Sequence, residues 1–196
     1  LTLDGNVVIT ERDEFIYDEM ITHIPMAVHP NIQDVLIIGA GDGGVVRELA
    51  RYDSIRRIDL VEMDPMVLEA CRMYLPENAS RLDDSRVNIY FDNALRFIRR
   101  CKDEYDLIIV DSTDPYGPSE GYFTREFYGI CYNALHDDGI LINQQGSPFF
   151  KHDAEAMKRS HQRIVKIFPI CRVYQAHIPA YAAGYWLFGF SSKKSA

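Results

Sequence analysis

The sequence predicts an α/β chain built on a doubly wound, mostly parallel sheet that ends in an antiparallel edge pair. Three observations predict it. Short aliphatic runs alternate with helical patterns from Asp34 to Phe168. A glycine loop, Gly39-Ala40-Gly41-Asp42-Gly43-Gly44, follows the first of these runs. The last two runs lie too close together for a helical crossover, which suits antiparallel neighbours.

The elements follow in order. Leu1 to Val8 reads as a strand fragment with a turn at Asp4-Gly5. Thr10-x-x-Asp13 has the form of a capping box, and the helix it opens carries Phe15, Ile16, Met20 and Ile21 on one face. Pro25 disturbs this helix and Pro30-Asn31 closes it. Parallel strands are predicted at 34–38, 57–61, 87–91, 105–110 and 140–142. Helices are predicted at 45–51, at 65–74 behind an Asp64-Pro65 cap, and at 94–100, 124–135 and 154–168. Residues 172–177 and 185–190 form the closing strands. Residues 1–30 are expected to be the remnant of a β hairpin with a linking helix, and 31–196 a nucleotide-binding catalytic domain.

Composition narrows the partners. The 196 residues carry a formal net charge of −8, which disfavours a nucleic-acid partner and suits a cationic small molecule. The cysteines, Cys71, Cys101, Cys131 and Cys171, form no C-x-x-C pair. Free thiols in a reducing, cytoplasmic compartment and no metal site are expected. No run of about 20 apolar residues predicts a membrane span. No signal peptide is read, and the chain opens on Leu1, so a preceding segment is expected to be missing.

In an open α/β sheet, ligands bind beyond the carboxyl ends of the strands. The residues following successive strands are Asp42 in the glycine loop, Glu62-Met63-Asp64, Asp92-Asn93, Asp111 with Asp114, and Gln144-Gln145. Every tip but the last offers a carboxylate. The loop fits G-x-G-x-x-G, so Gly39, Gly41 and Gly43 let a nucleotide-type ligand approach the backbone. A tight strand-to-helix turn without a ligand fits it too. Asp42 would repel a pyrophosphate, which argues against a dinucleotide dehydrogenase and for a cationic ligand. Glu62 stands about 20 residues beyond the loop, where an acid takes ribose hydroxyls. Asp92 and Asn93 suit either an adenine amine or a helix N-cap. Asp111 and Asp114 suit a general base for an ammonium substrate, or a turn.

These residues, with Leu3-Asp4-Gly5, residues 11–17, residues 36–44, Val61-Glu62-Met63-Asp64, residues 111–118 and Ile178-Pro179 with Tyr181 and Gly184, resemble the spermidine synthases, or polyamine aminopropyltransferases. The resemblance implies a Rossmann-like sheet of the S-adenosylmethionine-dependent methyltransferase type with its N-terminal β domain largely missing. It implies transfer of an aminopropyl group from decarboxylated S-adenosylmethionine to a diamine, with no permanently bound cofactor. By the same resemblance Asp111 is the base, and Asp114, Tyr17 and Tyr181 line the amine site. Asp42 holds the donor's ammonium, Glu62 and Met63 its ribose side, and Asp92 with Asn93 its adenine, while Pro118 belongs to a loop that closes over the ligands. A homodimer or homotetramer is implied. The sequence departs from the family at Asp18, usually His or Gln, where an extra carboxylate joins the amine site. It also departs at Asn93, usually a small residue, and at Ala180 and Ala182. A small-molecule N-methyltransferase and a truncated non-catalytic homologue are the competing readings.

Overall fold

The computed structural model describes residues 1–3, 5–112 and 121–194. Strands β1 (Thr2–Leu3) and β2 (Asn6–Val7) pair antiparallel as a small hairpin. Helix α1 (Glu14–Val28) leads to the sheet. There follow β3 (Asp34–Gly39), α2 (Gly44–Leu49), β4 (Arg57–Glu62), α3 (Pro65–Tyr74), a 3₁₀ turn (Asn78–Arg81), β5 (Val87–Phe91) and α4 (Ala94–Ile98). Then come β6 (Tyr105–Asp111), α5 (Arg125–Ala134), β7 (Leu135–Gly146), α6 (Lys151–Ile164), β8 (Ile170–Ala176) and β9 (Trp186–Ser192).

The seven-stranded sheet has the order β5-β4-β3-β6-β7-β9-β8. The first five strands pair parallel, and β9 pairs antiparallel with both β7 and β8. The aliphatic runs form strands because both faces are covered. Val35 and Ile37 of β3 pack with α1 and α2, and Leu36 and Ile38 with α4, α5 and α6. Phe127 and Tyr128, fully buried on α5, each stabilise the second layer by about 1.5–3 kcal/mol. The strand order turns around between β3 and β6, which opens a crevice at their carboxyl ends. There Gly39 pairs in register with Asp111.

Several boundaries differ from expectation. The Thr10–Asp13 pair is not a capping box: the Thr10 hydroxyl bonds the Asp13 carboxylate, no side chain caps the helix, and α1 begins at Glu14. Asp13 is drawn away by the Ala180 amide, which donates to its Oδ2 at 2.8 Å. Helix α1 also runs through Pro25 to Val28, because Tyr17, Ile21 and Pro25 form the buried stripe that packing holds against the sheet. Phe15, expected on that face, is exposed. Strand β7 starts at Leu135, directly after α5. Its acidic residues Asp137 and Asp138 occupy an exposed irregularity before the regular pairing at Ile140. Helix α6 begins and ends three to four residues earlier than expected.

Candidate active site

The crevice is built from the loop after β3, the end of β6, the first turns of α1 and the segment 178–181. These enclose a cavity of about 50 Å³ lined by Glu14, Tyr17, Asp18, Asp42, Asp111 and Tyr181, among others. That volume suits a small polar group and is too small for a nucleoside.

Asp111 ends β6 beside the glycine loop. The Tyr17 hydroxyl donates to its Oδ1 at 2.5 Å. Burial pushes the Asp111 carboxyl up to about 7, aided by the Asp42 and Glu62 charges, while the Tyr17 bond pulls it down. A carboxyl poised there changes charge near neutral pH, as a general base must. The Tyr17 ring lies 5.2 Å from Phe188 and 6.1 Å from Tyr181, which fixes its hydroxyl. Burial also raises the Tyr17 phenol well above its ordinary range, so it stays a donor.

Gly39 makes this approach possible. It has φ of +83°, and a Cβ there would lie 2.1 Å from the Asp111 carbonyl oxygen. The neighbouring Ala40 amide donates to that oxygen at 3.2 Å. Asp42 is buried, and its Oδ2 accepts from the Gly44 amide at 3.0 Å and from Asn78 Nδ2 at 3.1 Å. Burial raises its carboxyl against those two bonds. Gly43 turns toward the 3₁₀ turn, with Asn78 and Ala79 beside it, and so serves the loop's own bend.

Glu62 accepts through Oε1 from the amides of Met63 at 2.7 Å and Asp64 at 3.0 Å. Its Oε2 faces Gly41, where an added Cβ would lie 2.9 Å away. One oxygen is thus anchored and the other is turned toward the glycine loop. Met63 and Phe91, both exposed, stand at the same rim, since Glu62 and Phe91 are register partners.

Asp92 and Asn93 are committed locally. Asn93 caps α4, accepting from the Arg96 amide at 3.1 Å. Asp92 is held by the guanidiniums of Arg96 and Arg100, which keep its carboxyl below the usual range. A contact to adenine has to compete with those bonds.

Tyr181 donates to the Val8 carbonyl at 3.0 Å and packs edge-on against Trp186, tying the hairpin to the cavity wall. Asp18 is buried among Asp42, Glu14 and Arg47. Asp114 and Pro118 lie outside the described residues. The structure therefore brings Tyr17, Asp18, Asp42, Asp111 and Tyr181 together, sets Glu62 beside them, and leaves Asp92 and Asn93 farther along the rim.

Gln144, named at the fifth strand tip, donates to the Ser112 carbonyl at 2.8 Å. Three contributors escaped the sequence reading: Glu14 lines the cavity, Arg47 binds Glu14, and Asn78 holds Asp42. The spacing of Glu14, Tyr17 and Asp18 along one helix face was the available signal for the first. Among the described residues, Glu19, His23 and Glu48 form a group of metal-ligating types. Arg47 and Arg51 already occupy its Glu48, which opposes a cation there.

A family model described as the spermine/spermidine synthase domain matches residues 14–196. A polyamine aminopropyltransferase of Alkaliphilus oremlandii is 62% identical over 193 residues, covering 98% of this chain and 68% of that protein. One from Clostridium perfringens is 61% identical with the same coverage. A spermidine synthase solved in complex with the transition state analogue AdoDATO superposes with a TM-score of 0.95 at 44% identity, over 98% of this chain and 66% of that one. The chain thus spans about two thirds of the length of these proteins.

Proposed function

The chain belongs to the spermine/spermidine synthase family, and we propose that it transfers an aminopropyl group from decarboxylated S-adenosylmethionine to a diamine. Putrescine is the proposed acceptor, giving spermidine and methylthioadenosine. The observation that carries this reading is Asp111, poised to change charge near neutrality and held by Tyr17 in a cavity lined with carboxylates.

The proposed chemistry follows from charge. The acceptor enters as an ammonium and gives one proton to Asp111. Its freed lone pair attacks the carbon bound to the donor's sulfonium. The carbon–sulfur bond breaks, and its electron pair stays on sulfur. The product nitrogen keeps the positive charge that the sulfonium loses. Tyr17 positions Asp111, and Tyr181 shapes the wall beside it, so that much of the rate comes from alignment. Asp42 takes the donor's ammonium. It also disfavours intact S-adenosylmethionine, whose carboxylate would meet a buried like charge. Glu62 Oε2 takes the ribose, and the exposed Met63 and Phe91 offer an apolar rim to the adenine ring, beside Asp92 and Asn93. Asp114 is proposed at the amine and Pro118 over the ligands.

The donor is a co-substrate and no resident cofactor is proposed. The free cysteines are consistent with a cytoplasmic setting. No described helix is long and apolar enough to cross a membrane. Assembly as a homodimer or homotetramer is proposed from the family and from exposed apolar side chains such as Met66, Met73, Tyr74 and Phe149.

Titration calorimetry with decarboxylated donor, intact S-adenosylmethionine and methylthioadenosine tests the reading. Tight binding of the first and third with weak binding of the second is expected. Intact S-adenosylmethionine binding as well as the decarboxylated donor would point instead to methyl transfer.

A further inference from the structure

The inner wall of the cavity holds more acid than it has cations to balance. Glu14, Tyr17 and Asp18 share one face of α1. Asp18 is only 4% exposed, and its Oδ2 has no hydrogen-bond partner. Its carboxyl rests on the bare Cα of Gly44, where an added Cβ would lie 1.9 Å from Asp18 Oδ2 and 2.9 Å from Asp42 Oδ2. The Asp18 and Asp42 carboxyls therefore meet across one glycine. The Glu14 carboxyl, one turn earlier on the same helix face, adds its charge to that of Asp42 against ionisation of Asp18.

The only guanidinium facing this group among the described residues is Arg47. It forks onto Glu14 at 3.0 and 2.9 Å, gives its Nε to Glu48 at 2.9 Å, and stands 3.7 Å from Asp18 Oδ2. Asp111, Tyr17 and Tyr181 complete the surroundings from β6, α1 and the 178–181 segment. Arg47 is spent on Glu14 and Glu48, so among the described residues the buried Asp18 and Asp42 carboxyls face each other without a cation bonded to either, and a proton on one of them relieves the repulsion.

Its position can be read from the neighbours. Arg47 forks onto Glu14 but stands off Asp18, which favours the charge on Glu14 and the proton on Asp18. Burial pushes the Asp18 carboxyl well up in the same sense, reinforced by Asp42 and Glu14. That leaves Asp18 Oδ2 as a buried acceptor with nothing to accept from, a state that costs free energy until a donor arrives.

We propose that Asp18 holds this proton while the cavity is free of ligand and releases it to solvent when the ammonium of the bound donor comes to lie between Asp18 and Asp42. One positive charge leaves as another enters, so the charge of the enclosed group is conserved. The ammonium stays protonated and supplies the N–H that Asp18 lacks. Glu14 and Arg47 are positioning residues in this exchange. The inference rests on the placement of the donor's ammonium at Asp42 and adds that its binding is linked to a proton.

Calorimetry near neutral pH in buffers of differing ionisation enthalpy counts the protons released. Decarboxylated S-adenosylmethionine should release close to one proton more than methylthioadenosine, which lacks the ammonium arm. The count is made in the Asp111→Asn protein, which lacks the other carboxyl that changes charge near neutrality; the excess should remain close to one proton there and vanish when Asp18→Asn is added. Asp111→Asn protein with no excess, or the double variant that retains it, overturns the proposal. Should Asp18→Asn not fold, infrared difference spectra of the Asp111→Asn protein decide the matter. A protonated-carboxyl stretch should disappear on adding the decarboxylated donor and persist with methylthioadenosine; a stretch that persists with both overturns the proposal. The two readings fail differently. Binding of both ligands without proton release defeats the exchange alone, whereas no binding of either defeats the donor site and the exchange with it.

Discussion

Removing one hydroxyl, in Tyr17→Phe, should move the pH at which turnover switches on. Burial raises the Asp111 carboxyl to about 7 in the wild type, so about half is the competent base at pH 7. The Tyr17 bond at 2.5 Å favours the charged form. A hydrogen bond to a charged group contributes about 1.5–3 kcal/mol. Water replaces part of it in the variant, and the lower end corresponds to roughly one pH unit. About a tenth of Asp111 is then ionised at pH 7, and turnover there should fall about fivefold. At pH 9 it should lie within about twofold of the wild type. Phenylalanine keeps the ring contacts to Phe188 and Tyr181, so the cavity wall stays in place. The assay is the release of methylthioadenosine with the acceptor amine well below its KM, so that the profile reports ionisation of Asp111 before the amine binds, from pH 6 to about pH 9.5. An acid limb that does not move would show that this hydroxyl does not set the charge of Asp111. A loss equal at every pH would show that Tyr17 acts by holding the amine alone.

Asp111→Asn should lower turnover by about two to four orders of magnitude. It should also stabilise the fold. The carboxyl is raised from 3.8 to about 7 on folding, so its contribution is complete below its unfolded value and is lost as pH rises through the folded one. The gain over wild type should grow from pH 5 to pH 8, up to about 4 kcal/mol, in urea denaturation; an equal gain at both pH values counts against this cause. Asp42→Asn should narrow the preference for the decarboxylated over the intact donor by about tenfold or more, read as a ratio of dissociation constants. An unchanged ratio refutes the repulsion. Gly39→Ala should cost about 2–4 kcal/mol and depress turnover, because it is strained at φ of +83° and collides with the Asp111 carbonyl. Wild-type stability and turnover together would refute that geometry.

The strand tips were legible for a definite reason. Parallel strands covered on both faces leave aliphatic runs, unbroken in β3 and β6 and interrupted only by Asp59 in β4, and a ligand-facing residue follows each run. Counting past the runs reaches Asp42, Glu62 and Asp111 without any knowledge of packing. Helix α1 was harder to read. Its apolar residues suggest a face through Phe15, Ile16, Met20 and Ile21, yet the buried residues are Tyr17, Asp18, Ile21, Thr22 and Pro25. A helix that serves a polar cavity buries carboxylates, so a stripe drawn through its hydrophobic side chains points partly to solvent. Asn78 carried no signal at all, because its bond to Asp42 depends on how the 3₁₀ turn packs beside Gly43.

The misleading stripe is itself informative. Sequence patterns and structure agree through most of the sheet, where burial of apolar surface decides the outcome. They part at α1, where Glu14 and Asp18 are turned inward against their own desolvation. Packing alone would not place Asp18, Asp42 and Asp111 about one small cavity, since each additional buried carboxyl raises the cost of ionising the others. A cationic ligand reverses the sign of that interaction. The same arrangement that opposes folding then favours binding, and the segment where local preference fails is the segment the proposed reaction requires.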